Sequence, residues 1–409
     1  MTAELISIGD ELLIGQVVNT NASWLGQRFS DLGVTLTRVV TIGDDRDVIR
    51  ETVDAARQRA EVVIVTGGLG PTHDDITKEA VASLFGAQLI LDQGLFDALK
   101  ARYDRVGRTM SPSNRTQAEV PEGFSVLRNR WGSAPGLLHE DGCLLLILPG
   151  VPREMKGLID EHVVPRLLAS GVLSPSIRKT LLTTGVGESR LHDDVGEISP
   201  WTSSGAEVAY LPSVHGVRVR LTAPAGSPDV LAGLEAHLRA KAGRHVYGEG
   251  EETIEAVVGQ QLRQRGWTVA TAESATGGLV ASRLTDVPGA SAYVRGGVVA
   301  YDNEIKTTRL GVLAETLSTV GAVSQEVVEQ MARGVCKALG SDCGIATSGI
   351  MGPGGGSDEK PVGTVWIAVC TPGKSRSIKV VMHHDRLGNK ARTATTALDL
   401  LRRAMLTGA

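Results

Sequence analysis

The feature that most constrains this chain is a repeated local pattern. A short run of β-branched and aliphatic residues ends at glycine, and a stretch with helical spacing comes next. AELISIG (3–9), EVVIVTGG (61–68), CLLLILPG (143–150) and CGIATSG (343–349) are four such runs. Each is too short to cross a membrane; EVVIVTGG and CLLLILPG are too uniformly apolar for one face to meet water and predict buried strands, and AELISIG and CGIATSG are further elements of the same texture. Residues 21–32, 45–60, 153–168, 252–266, 324–340 and 387–406 carry apolar residues at helical spacing. Strand–helix alternation of this kind predicts an α/β protein with parallel sheet covered by helices.

The texture changes between 171 and 248. RKTLLTTG (178–185), a short helix at 188–198, the alternating run VRVRL (217–221) and a helix at 228–242 predict a small α+β unit. Little in it is chemically reactive, and its expected role is a spacer or dimerising module. The 409 residues suit two or three domains at about 100–200 residues each. The expected division is 1–170, 171–248 and 249–409.

The formal charge is −4 and aromatics make up 3% of the chain. Basic stripes with stacking aromatics, which nucleic-acid binding through phosphates requires, are not a feature of such a composition, so direct nucleic-acid binding is not expected. Bound anions must instead be held by local geometry. Four cysteines, with no C-x-x-C pair, read as reduced thiols. Glu4, Asp10 and Glu11 stand where a signal peptide would carry basic charge, and no apolar run reaches membrane-spanning length. The expectation is a cytoplasmic protein that acts on small molecules and does not enter membranes.

Two regions carry candidate chemistry. In AESATGG (272–278) a strand feeds Glu273 and Ser274 into a turn, and Gly277 and Gly278 open a helix. A hydroxyl there lies beside unpaired main-chain N–H groups that can hold a phosphate or a developing oxyanion. Ser274 can be a nucleophile or a helix N-cap on this spacing. In YDNEIK (301–306) Tyr301, Asn303 and Lys306 share one short turn after another strand. A serine needs a base, and a desolvated lysine can be one; a surface lysine opening a helix is the other reading of Lys306. No His–Asp pair stands near Ser274, and His383 and His384 read as solvated.

Near the N-terminus, GDELLIG (9–15), TGGLGPTHDD (66–75) and LPGVPREM (148–155) each sit at the end of an apolar run. Ligands of open α/β sheets bind at the carboxyl ends of strands. Gly67, Gly68 and Gly70 can present N–H groups to a phosphate. Asp10, Glu11, Asp74 and Asp75 suit a hard divalent cation. Turn chemistry explains aspartates and glycines equally well at any one of these loops, and His73 reads as a cation ligand or as a solvated loop residue.

The runs AESATGG, RGGVVAYDNEIKTTRLGV (295–312) and TSGIMGPGGGSDEKPVGTVWIAV (347–369) resemble the CinA (competence/damage-inducible) family, in family order. The resemblance covers nearly the whole chain. It implies an N-terminal three-layer α/β/α domain like those of molybdenum-cofactor biosynthesis, a small α+β middle domain, and a C-terminal α/β domain similar to nicotinamide mononucleotide deamidases. Carried over, Ser274 would attack the amide carbon, Lys306 would be the general base, and Tyr301 would join the proton network. Thr276, Gly277 and Gly278 would face the oxyanion or the phosphate, and Asn303 would position its loop. Gly349, Gly352 and Pro353 would shape the opposite wall. Arg392 would clamp a phosphate or lie exposed on its helix. Ala275 stands where the family often has Cys, which excludes a thiol nucleophile there. The deamidation needs no metal.

For the N-terminal domain the resemblance extends through 114–136, with Asn114, Gln117 and Asn129 in place and Ser133 where threonine is commoner. It implies cleavage of ADP-ribose at its pyrophosphate with a divalent cation as cofactor. Gly150 and Glu154 would belong to the closing loop, Glu154 ordering the ligand or capping a helix. The family also implies a homodimer. Two other readings come with it: an interaction protein linked to competence or DNA damage, and a molybdopterin-binding protein.

Overall fold

The computed structural model describes residues 1–406 apart from Val106, Val172 and Ser174. The chain forms two compact units, residues 1–177 with 224–226, and residues 178–223 with 227–409.

The first unit is built on a six-stranded sheet. Its order is Thr35–Ile42, Thr2–Ile8, Val62–Thr66, Leu144–Leu148, Gly136–Glu140 and Ser125–Leu127. Successive side chains of a strand point to opposite faces. Leu5, Ile64 and Leu146 accordingly enter one core with Leu25 and Phe29. Ile6, Val63 and Val65 enter the other with Ile49 and Val53. The unbroken apolar runs are thus the middle layer of an α/β/α arrangement. The first four strands are parallel, and their carboxyl ends deliver Gly9, Gly67 and Pro149–Gly150 to one edge.

In the second unit, Val294–Val299, Val269–Glu273, Cys343–Gly349, Thr364–Thr371 and Lys374–Val381 form a five-stranded sheet in that order. Ile345, Ile367 and Val369 fill one face. Ala270, Ala272, Ala346 and Ala368 line the other, where small side chains share a core with Val328, Met331 and Val335 of the helix Gln325–Leu339. The residues expected as a middle domain build a separate four-stranded sheet, ordered Glu207–Ser213, Gly216–Pro224, Ser176–Thr183, Val246–Glu249.

The expectation of parallel sheets is corrected: both large sheets are mixed. Gly136–Glu140 runs antiparallel to Leu144–Leu148, and Thr364–Thr371 is antiparallel to both of its neighbours. The cause is local. A tight turn through Pro372 and Gly373, with Gly373 at φ +79°, reverses the chain in two residues, as a type II turn with Pro then Gly does. No helix can be inserted there. No described helix is long and apolar enough to cross a membrane.

Candidate functional sites

In the second unit three parallel strands end side by side, and the candidate residues come from the turns that leave them. Parallel pairing sets Glu273 opposite Val299 and Thr347. The Ala300 N–H donates to Glu273 O at 2.8 Å, and the Ser274 N–H donates to Thr347 O at 3.0 Å. Ser274 is therefore held between the turn at Ala300–Tyr301 and the segment after Gly349. It is half-buried.

Glu273, whose role has no signature in the sequence, organises this turn. Its carboxylate is buried. Oε2 accepts from Thr276 Oγ1 at 2.6 Å, Gly278 N at 3.0 Å and Val280 N at 2.9 Å, and Oε1 accepts from Ala281 N at 2.8 Å. A negative group at a helix start satisfies donors that the helix cannot. Thr276 Oγ1 also meets Thr347 Oγ1 at 2.7 Å. This corrects the expected role of Gly278 and withdraws the Thr276 hydroxyl from the ligand. The Thr276 side chain is wholly buried and the Gly278 N–H is taken, so neither faces a ligand. Among the described residues, the main-chain N–H groups of Ala275, Thr276 and Gly277 find no protein acceptor, and they are the donors that remain for an oxyanion.

Lys306 is only 1% exposed. Its Nζ donates to Tyr301 O at 3.3 Å and lies 3.5 Å from Asp302 O. Burial pushes the amine below the ordinary lysine range, and the Asp302 charge opposes that in part. The surface-lysine reading is thereby excluded. Lys306 and Ser274 are thus brought to neighbouring strand ends, and no hydrogen bond joins them. Tyr301 is 66% exposed, and its hydroxyl accepts from Arg386 Nη2 at 3.2 Å. Asn303 is exposed at the start of the helix Asn303–Leu310, whose N-cap is Asp302.

The long helix Arg386–Leu406 supplies side chains that no local motif marks. Arg386 Nη1 donates to Gly352 O at 2.7 Å, tying the Gly349–Gly352 wall to Tyr301. Asn389 is fully buried and donates to Met351 O at 3.1 Å. Lys390 Nζ lies 3.5 Å from where a β-carbon on Gly277 would stand, and no described residue pairs with it. Arg392, the expected phosphate clamp, instead donates from Nη1 to Val214 O at 3.2 Å. Six residues beyond Arg386, it lies about 120° round the helix and turns to Val214.

In the first unit a cavity of about 480 Å3 opens at the strand ends. Gly67, Gly68, Gly70, Gly150, Glu154, Glu11, Asp74 and Asp75 line it, joined by Asn21, Asp44 and Gln117, which no sequence motif assigns to a ligand. Gly67 has φ +111° and packs so tightly on Ile8 O that no side chain fits; the turn is held against the first strand. Asn21 donates to Gly150 O at 2.7 Å, while its buried Oδ1 has no partner. Glu154 accepts from Asn129, and burial raises its carboxyl above the usual range, partly offset by that bond.

The four expected cation ligands have different surroundings. Asp10 and Asp44 exchange main-chain hydrogen bonds, Asp10 N to Asp44 Oδ2 at 3.1 Å and Asp44 N to Asp10 Oδ1 at 3.3 Å. Asp75 accepts from Thr72 N at 2.9 Å and from the Thr72 hydroxyl, so it shapes the loop. Burial raises Asp44 above the usual carboxylate range, and repulsion from Asp10, Glu11 and Asp74 adds to this, against the bond from Asp10 N. Negative charge is thus crowded at the mouth, yet no three described His, Cys, Asp or Glu side chains converge as a metal cage. The donor set fits a Mg2+-like ion held by one or two carboxylates and by the phosphates of a ligand. Asn114 does not line the cavity. The resemblance implies Asn114 as a substrate-binding residue; instead it closes a capping box with Ser111.

Residues 251–405 match the CinA C-terminal domain, 4–169 the probable molybdopterin binding domain and 178–248 the damage-inducible protein CinA KH domain. A CinA-like protein of Salinibacter ruber is 46% identical over 410 residues, covering 99% of this chain and 100% of the relative. One from Gemmatimonas aurantiaca is 45% identical over 414 residues, covering 99% and 96%. A solved competence/damage inducible protein from Agrobacterium tumefaciens is 39% identical over 37% of this chain and 93% of its own, with TM-score 0.37. The chain belongs to the CinA family of competence/damage-inducible proteins.

Proposed function

We propose that the second unit hydrolyses the carboxamide of nicotinamide mononucleotide and the first cleaves ADP-ribose at its pyrophosphate. The observation that supports the amidase reading best is a half-buried hydroxyl at Ser274, flanked by three unpaired main-chain N–H groups and by a desolvated amine one strand away. Ser274 Oγ attacks the amide carbon and its proton passes to Lys306 Nζ, through a water or after the lysine rotates. The amides of Ala275, Thr276 and Gly277 receive the oxyanion. The C–N bond then breaks, and ammonia leaves with the proton from Lys306. Water attacks the ester, which frees nicotinic acid mononucleotide and restores Ser274. Lys390 stands where it can meet the substrate phosphate.

For the first unit the supporting observation is the acidic mouth beside glycine-rich turns. Glu11, Asp44 and Asp74 would hold a divalent cation, which neutralises pyrophosphate charge when bound. The Gly67–Gly70 turn would orient the phosphates, and Asn21 Oδ1 would accept a ribose hydroxyl.

The interaction-protein reading draws on the KH match. KH domains clamp nucleic acid through a G-x-x-G loop, and residues 178–248 contain no two glycines three apart. The enzyme reading is therefore preferred. Its test is ammonia release from nicotinamide mononucleotide and AMP release from ADP-ribose, each by the full chain. Ser274→Ala should abolish the first and spare the second; a chelator should do the reverse. Equal ammonia release by wild type and Ser274→Ala would overturn the amidase reading, and chelator-insensitive AMP release the cation-dependent one.

A further inference from the structure

The helix Arg386–Leu406 has two working faces. At about 100° per residue, Arg386, Asn389 and Lys390 share one arc of the helix surface, and Arg392, Thr395, Asp399, Arg402 and Arg403 share the arc next to it, beyond Asn389. The first side meets the Ser274 site through Gly352, Tyr301 and Met351. The second is fastened to the small four-stranded subdomain. Arg392 holds Val214 O at 3.2 Å, and His215 Nδ1 meets Thr395 Oγ1 at 3.0 Å. Arg402 donates to Arg244 O at 2.6 Å and Arg403 to Thr184 O at 3.2 Å. Asp399 pairs with Arg402 at 2.8 Å and with Arg403 at 2.7 Å.

Two of these anchors are strongly buried charges: Asp399 is 5% exposed and Arg402 is 3% exposed. Apolar packing would attach a helix with less desolvation. A buried ion pair is weak evidence of added stability, and its directional bonds can instead set the register of the helix. The fastened contacts extend from Arg392 near the helix start to Arg403 near its end, so both the slide and the rotation of the helix are set.

We infer that the KH-like subdomain is a positioning element for the Ser274 site, and that Arg392 and His215 act as positioning residues by fixing the pose of Arg386, Asn389 and Lys390. The inference rests on the amidase reading for its kinetic consequence only. A helix displaced by about 1 Å moves Lys390 from Gly277 and loosens Arg386 from Gly352 and Tyr301. Displacements of that size can cost about 10²-fold in rate.

The test uses the full chain with Arg392→Met, His215→Ala and their double variant. Arg239→Ala is the control, because Arg239 pairs with Glu235 and Glu249 inside the same subdomain and does not touch the helix. Two readouts are taken: steady-state kcat and KM for nicotinamide mononucleotide, and hydrogen–deuterium exchange of peptides covering 347–356 and 384–392. The double variant should lose about 10-fold in kcat with a folded midpoint near wild type. Its exchange should rise in both peptides, and Arg239→Ala should change neither readout. Unchanged exchange in the double variant, or an equal rise in Arg239→Ala, overturns the inference. An inactive wild type that still shows the selective exchange rise sinks the amidase reading and leaves the positioning role standing.

Discussion

Replacing Glu273 by Gln tests how the Ser274 turn is built. The carboxylate accepts four hydrogen bonds, three at Oε2 and one at Oε1. Glutamine keeps the shape but offers one oxygen and one NH2 group. If its oxygen takes the three-donor position, the NH2 points at the Ala281 N–H, a donor facing a donor. That leaves one buried N–H unsatisfied, at about 1–3 kcal/mol. The remaining three bonds change from charge-assisted to neutral, each weaker by about 0.5–1 kcal/mol. The sum is about 2.5–6 kcal/mol from a one-atom change. Urea unfolding of the second unit, monitored by tryptophan fluorescence, should show its midpoint falling accordingly, with the first unit unmoved. Hydrogen exchange at 272–282 should rise. A loss below about 1 kcal/mol would refute the reasoning, because it would mean that the four donors do not depend on an acceptor-only group.

Four further outcomes are expected. Lys306 must be neutral to act as a base, and burial holds its pKa below the ordinary lysine value; kcat/KM for the amide should therefore rise with pH along a one-proton limb below that value. Lys306→Arg, which stays charged, should lose about 10³-fold in kcat/KM without unfolding. Lys390→Ala should raise KM for nicotinamide mononucleotide about 10-fold, and far less for nicotinamide riboside, which lacks the phosphate. Lys78 is 4% exposed, and burial pulls its pKa to about 8. Its folded value lies below its unfolded one, so the first unit should gain up to about 3 kcal/mol as pH rises from about 8 toward 10.5. Urea midpoints at pH 7 and pH 10 should show this slope in wild type and lose it in Lys78→Met.

The sheets were legible because their strands are buried on both faces. EVVIVTGG and CLLLILPG leave no other use for such runs. The antiparallel edges were less so. Lys374–Val381 has no fully buried residue, and it carries little apolar signal beyond Ile378, Val380 and Val381. The places of Ser274 and Lys306 beside turns that leave neighbouring strands were legible from the sequence pattern. Glu273 stands in the same heptapeptide but gives no signal of its role, because that role depends on a helix folding back over it. Lys390 and Arg386 come from more than 110 and 80 residues away in sequence, and helical periodicity alone does not say which face meets which neighbour. Arg392 is misplaced by sequence reasoning for that same cause: the helix is the right one, but Arg392 lies about 120° round it from Arg386 and is taken by Val214 O. Asp44 and Asn21 became site residues only when parallel pairing brought their loops to one cavity edge.

The claim on which the amidase account turns is that the carboxamide carbon becomes bonded to Ser274 Oγ. The direct measurement is acid quench of the enzyme during steady-state turnover of nicotinamide mononucleotide, then peptide mass spectrometry. The account expects a substoichiometric acyl adduct, the mass of the substrate less ammonia, on the peptide that contains Ser274, absent from Ser274→Ala. Product formation at full rate with that peptide never modified, in samples quenched fast enough to hold a serine ester, would contradict it.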